Sequence, residues 1–74
     1  MNKALIELAT GHKGVVISLE GGQLFKHRVE TMGIRVGKRI RVVAKHPWGP
    51  IVVDIGGCQI TMGRGMANKV LIEE

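Results

Sequence analysis

The stretch QLFKHRVETMGIRVGKRIRV, Gln23 to Val42, holds two hydrophobic periods and the switch between them. Phe25, Val29 and Met32 recur at i, i+4 and i+7, one stripe of a helix. Lys26, His27, Glu30 and Thr31 fall largely on the other faces. Gly33 is placed to end the helix, with Ile34 folding back over its last turn. After Gly37 the period drops to two. Ile40, Val42 and Ala44 take one face of a strand, and Arg39, Arg41, Val43 and Lys45 the other. A helix of about ten residues is marginal alone, so this one has to dock its apolar stripe on a sheet.

Outward from that stretch the chain reads as β-hairpin material. Leu5, Ile6 and Leu8, ended by Thr10-Gly11, suit either an edge strand or a single helical turn. Val15 to Leu19 is β-branched and of strand length, and Glu20-Gly21-Gly22 stops it. On the far side, His46-Pro47-Trp48-Gly49-Pro50 cannot extend a strand, because proline donates no ladder hydrogen bond. It forms a loop with Trp48 near its tip. Ile51 to Ile55 and Cys58 to Met62 flank Gly56-Gly57, a two-residue hairpin signal. Gly63-Arg64-Gly65 makes a turn, Met66 to Asn68 one helical turn, and Val70 to Ile72 a last strand. The expectation is one mostly β domain, residues 1–74. Its five or so short strands would form a small barrel with one inserted short helix, closure removing the sheet edges.

Size bounds the function. A chain of 74 residues buries a thin core, leaving no room for a large enclosed active site. The 45% hydrophobic content still supports a folded globule. The net charge is +5, and seven of the 11 Lys and Arg lie between Lys26 and Lys45, where Glu30 is the one acid. Such a local excess favours an anionic partner or simply a solvated face. With Cys58 as the single cysteine, no intramolecular disulfide can form. No apolar run approaches a membrane span, and the start has Glu7 inside its apolar segment, unlike a signal peptide. A reducing, cytoplasmic setting is expected.

The candidate chemistry is binding. No Ser-His-Asp spacing, paired-carboxylate pocket or phosphate loop stands out, so the chain is not read as an enzyme. His12, His27, His46 and Cys58 are the best transition-metal donors, yet each lies in a different element and none forms a ligand pair. Trp48 suits a cap over one end of the barrel, or a contact residue offering large area with a polar edge. Arg39, Arg41 and Lys45, with Lys26 and Arg35 nearby, make a basic face for a protein, lipid or nucleic-acid partner. Nucleic acid is the weaker alternative, because barrels that bind it usually add aromatics for base stacking and only Phe25 and Trp48 are present.

Placed in order, these landmarks resemble the FeoA family over nearly the whole chain. Leu5 and Leu8 before Gly11, then Gly14-Val15-Val16, are similar to its opening, and Gly21-Gly22 precedes its helix. Val29 to Ile34, Val-Glu-Thr-Met-Gly-Ile, resembles its Leu-x-x-Met-Gly-Ile helix end. Gly37, Ile40 and Val42 follow; Pro47, Gly49, Pro50, Gly57 and Ile60 fit its central hairpin, and Met62-Gly63-Arg64, Ala67 and Val70 its closing segment. Val36 stands where proline is frequent, and Val29 where leucine is usual. The resemblance implies an SH3-like barrel of five to six strands and an accessory role in ferrous iron uptake. It implies a partner, the FeoB-type membrane transporter with its cytoplasmic GTP-binding domain, which would bring the chain to the inner face of the membrane. It also implies weak binding of a transition metal (iron, manganese or zinc) without assigning ligands. On that reading Lys26, Arg35, Arg39, Arg41, Lys45, His46 and Trp48 are the expected partner-binding residues.

Overall fold

The computed structural model describes residues 2–74. Six strands appear in the order β1 (Asn2–Ala4), β2 (Lys13–Leu19), β3 (Arg39–Lys45), β4 (Ile51–Ile55), β5 (Cys58–Met62) and β6 (Val70–Glu73). A 3-10 turn, Leu5–Glu7, follows β1; helix α1 (Gln23–Thr31) lies between β2 and β3, and a one-turn helix α2 (Arg64–Ala67) between β5 and β6. All pairings are antiparallel and the strands lie in the order β1-β6-β2-β3-β4-β5. A flat sheet with its side chains would be about 10 Å thick. The molecule measures 28 × 24 × 23 Å, so the sheet curls around its own core.

The curl does not end in a closed ladder. Among the described residues, β1 and β5 remain edges, where full closure was expected. The physical reason lies in how both edge strands end. After three residues β1 turns into the 3-10 helix, and at Gly63 β5 gives way to α2. These two helical turns pack on each other and bury Leu5 and Ala67, so side chains complete the enclosure where a β1–β5 ladder would have stood. The core they help to close includes Val16, Ile40, Val42, Ile51, Val53, Val70 and Ile72 from the strands.

Helix α1 docks as its periodicity demands. Val29 is fully buried, with Phe25 and Met32 half-buried beside it. Its end carries both bonds of a Schellman motif: Ile34 N–H donates to the Val29 carbonyl at 3.1 Å and Gly33 N–H to that of Glu30 at 3.0 Å. Gly33 sits at φ +95°, left-handed, and Ile34 is fully buried. The Gly56-Gly57 turn has φ of +60° and +92°, which matches the twist of the β4–β5 hairpin.

Strand β3 departs from strict alternation. Val42 pairs with Val53, but Ala44 pairs with Val52, so Val43 is an extra residue, a bulge. A one-residue slip exchanges faces for everything beyond it. Ala44 therefore turns to the outer face and Lys45, opposite buried Ile51, to the inner one, the reverse of the expected assignment.

Candidate functional site

The loop between β3 and β4 is short and tied down. His46 N–H donates to the Pro50 carbonyl at 3.3 Å, and Gly49 N–H to the His46 carbonyl at 3.2 Å. From α2, one Arg64 guanidinium nitrogen donates to the carbonyls of both His46 and Pro47, the latter at 2.8 Å. A β-carbon at position 49 would come within 3.2 Å of the His46 β-carbon, so the turn is tight. At its tip Trp48 is 97% exposed. It does not cap the barrel: the loop carries it outward, and the core is closed by Leu5, Leu8 and Ala67 instead.

The β3 arginines lie elsewhere, on the outer face of the sheet. Register places Lys13, Arg41, Asp54 and Gln59 in one cross-strand row, with Val15 opposite Arg39 in the next. Lys13, Arg39 and Arg41 thus form a basic group with Asp54 beside it, lining a shallow, open depression that reaches the Gly56-Gly57 turn. Lys13 belongs to this group only through the β2–β3 register, which its sequence position does not show.

Lys45 is not part of that face. The bulge turns it inward, it is half-buried, and its ammonium donates to the Ile6 carbonyl at 2.8 Å. Its ammonium is engaged by a carbonyl of the 3-10 turn. Lys26 is exposed on α1 and Arg35 in the turn before β3. The expected residues thus fall on three parts of the fold: His46 and Trp48 on the β3–β4 loop, Arg39 and Arg41 beside Lys13 on the outer sheet face, and Lys26 on α1.

The possible metal donors do not converge. His27 is on α1, His46 in the Trp48 loop and Cys58, exposed, at the start of β5. His12 Nδ1 lies 2.5 Å from Glu74 Oε2, and Lys3 Nζ is 2.9 Å from Glu74 Oε1. Hydrogen bonds from Lys3 and then His12 hold the Glu74 carboxyl below its ordinary value. That arrangement is an ion pair, with a lysine where a third ligand would be needed. No group of three or more His, Cys, Asp or Glu side chains among the described residues is placed to hold a metal ion. The described residues thus assemble no resident metal centre.

A curled antiparallel sheet with a docked helix and a helical turn before its last strand is an SH3-like module. The chain belongs to the FeoA family, whose domain model matches residues 3–74. A Methanocaldococcus jannaschii protein provisionally named Fe(2+) transport protein A is 30% identical over 64 residues, 86% of this chain and 77% of that protein. The crystal structure of an iron uptake regulatory protein (FeoA) superposes with a TM-score of 0.93 at 35% identity, covering 97% of this chain and 96% of that one. The zinc complex of Stenotrophomonas maltophilia FeoA, described as a prokaryotic SH3 domain protein, superposes with a TM-score of 0.82 at 25% identity, covering 95% and 88%.

Proposed function

We propose that the chain is a non-enzymatic accessory module of ferrous iron transport that docks on the cytoplasmic domain of a FeoB-type transporter. Family membership supports the transport role, as do relatives named for Fe(2+) transport and for iron uptake regulation. The observation that carries the docking surface is Trp48. A tryptophan 97% exposed on a loop held by four hydrogen bonds leaves a large amphipathic side chain in water at little remaining entropic cost to order. Such residues are frequent anchors of protein interfaces. His46 on the same loop adds a polar contact, and Arg39 and Arg41 on the outer sheet face offer a second, cationic patch for an acidic surface or nearby anionic headgroups. No helix among the described residues is long and apolar enough to cross a membrane, so the transporter would bring the module to the inner membrane face.

In this reading ferrous iron is the transporter's cargo. The module acts by binding one state of the transporter better than another, which shifts assembly or nucleotide-driven gating. Metal held by this chain alone is weak, since its four candidate donors stand on four separate elements. The test is co-purification from membranes containing the cognate transporter, with and without guanine nucleotide. Retention is expected, with Trp48→Ala weakening it by about thirtyfold, the scale of an interface anchor. Thermal unfolding of Trp48→Ala should match wild type, because nothing in the core touches this side chain. Failure to co-purify under every nucleotide condition would sink the docking reading.

A further inference from the structure

The two sheet edges are not alike. Strand β1 has three residues and carries Lys3, which is paired with Glu74. Strand β5 has five, Cys-Gln-Ile-Thr-Met, with no charge and no proline. Its register with β4 runs unbroken from Ile55 opposite Cys58 to Ile51 opposite Met62, while β2 and β3 both carry bulges. Proteins ordinarily blunt an exposed edge with charge, proline, a bulge or brevity, and β5 shows none of these beyond its modest length.

The hairpin dictates which of its backbone groups are free. A two-residue turn makes Ile55 and Cys58 a hydrogen-bonded pair, and such pairs then alternate along the ladder. Cys58, Ile60 and Met62 therefore use their N–H and C=O groups on β4. Gln59 and Thr61 point theirs away. Both residues are exposed, and among the described residues β5 pairs with no strand but β4. No turn, loop or cap hydrogen bond of the backbone among the described residues ends on either one.

We infer that the β5 edge pairs antiparallel with β5 of a second copy of this chain, about a two-fold axis through Ile60. This inference stands on the edge geometry and does not depend on docking to a transporter. The register follows from the free groups. Centred on Ile60, Gln59 of each copy faces Thr61 of the other, and each such pair exchanges two hydrogen bonds. All the free groups are used, in four bonds. Centred on Thr61, Gln59 would face Gly63 of the other copy, beyond the strand. In the Ile60-centred register Cys58 faces Met62, so no like charges stand opposite each other. The two-fold also closes, whereas β1 added to β5 would propagate head to tail and would bring Lys3 to the junction. A five-residue edge is only about 17 Å long, so the pair is small and readily reversible.

The test is sedimentation velocity of the whole chain up to millimolar concentration, together with two variants. A reversible monomer–dimer equilibrium is expected. Thr61→Pro removes the outward N–H in both copies, two of the four bonds, and should weaken the dimer by about thirtyfold. It leaves the β4 ladder intact, because that N–H faces away from β4, and proline is tolerated at such edge positions. The second variant is Ile60→Cys in a Cys58→Ser background. Opposed residues of a non-hydrogen-bonded pair have Cα atoms about 4.5 Å apart, within disulfide range, so mild oxidation should yield a covalent dimer. The native Cys58 pair would lie about 13 Å apart, four residues along the strand, and should not cross-link through this interface. A chain that stays monomeric to millimolar concentration overturns the inference. So does a dimer unaffected by Thr61→Pro whose Ile60→Cys variant fails to cross-link. If Thr61→Pro does not fold, the cross-link alone decides.

Discussion

Glu74 joins Lys3 and His12 through its two carboxylate oxygens, at 2.9 and 2.5 Å. Those hydrogen bonds lower its carboxyl from an ordinary value of 4.5. A carboxylate whose folded-state value is depressed stabilises the fold above its unfolded value and loses that contribution as pH falls through the folded one. Thermal melts of wild type and Glu74→Gln between about pH 3 and about pH 7 should therefore show wild type ahead at neutral pH and the gap closing in acid. A gap that stays constant with pH would remove the ion pair from the account. Not every such role is visible in a sequence. Trp48 stood out as a loop residue because Pro47, Gly49 and Pro50 surround it, but its exposure depended on what closes the barrel. Lys45 was misplaced because Val42-Val43-Ala44 reads equally well with or without a bulge, and only the pairing to Val52 and Val53 decides. Arg64 sat in an expected glycine turn, and nothing local linked it to carbonyls 17 and 18 positions earlier.

The end of α1 shows what an element needs to be read correctly. Met32-Gly33-Ile34 places a residue free to adopt φ +95° between the helix and an apolar residue that returns to the core. Both the conformation and the contact are local, so the motif was legible from the chain. Gly33→Ala tests it cleanly. An added β-carbon meets no atom within 4 Å, so the cost is conformational and not steric: about 1 kcal/mol, or roughly 4–8 °C in Tm for a domain of this size. A melt unchanged within error would mean the αL cap does not hold the helix end. The hairpin β4–β5 was legible for a similar reason, with Gly56 and Gly57 fixing the turn and β-branched residues flanking it. By contrast β1, the 3-10 turn and the start of α2 are each four residues or fewer. Elements that short take their shape from what they pack against, such as Leu5 beside α2, and that is set by the fold as a whole.

At the scale of the whole molecule, a net charge of +5 invites a nucleic-acid reading that its distribution argues against. Lys45 is committed to the Ile6 carbonyl, Arg64 to the Trp48 loop and Lys3 to Glu74. On the outer face Asp54 shares the row of Arg41 and adjoins that of Arg39, so the track is short and interrupted. The stacking surface is poorer still. Phe25 is half-buried with the Lys69 ammonium 5.4 Å from its ring centre, which leaves Trp48 as the single exposed aromatic. Single-strand binding ordinarily combines a continuous basic groove with several aromatic platforms. Titrations of single- and double-stranded oligonucleotides against salt should therefore show binding weaker than about 10⁻⁴ M at physiological ionic strength, and a log–log slope shallower than about −3. Saturable binding with a steep slope and quenching of Trp48 would restore the nucleic-acid alternative. It would also move the functional face from the Trp48 loop to the sheet between Lys13 and Asp54, because Lys13, Arg39 and Arg41 share one surface there.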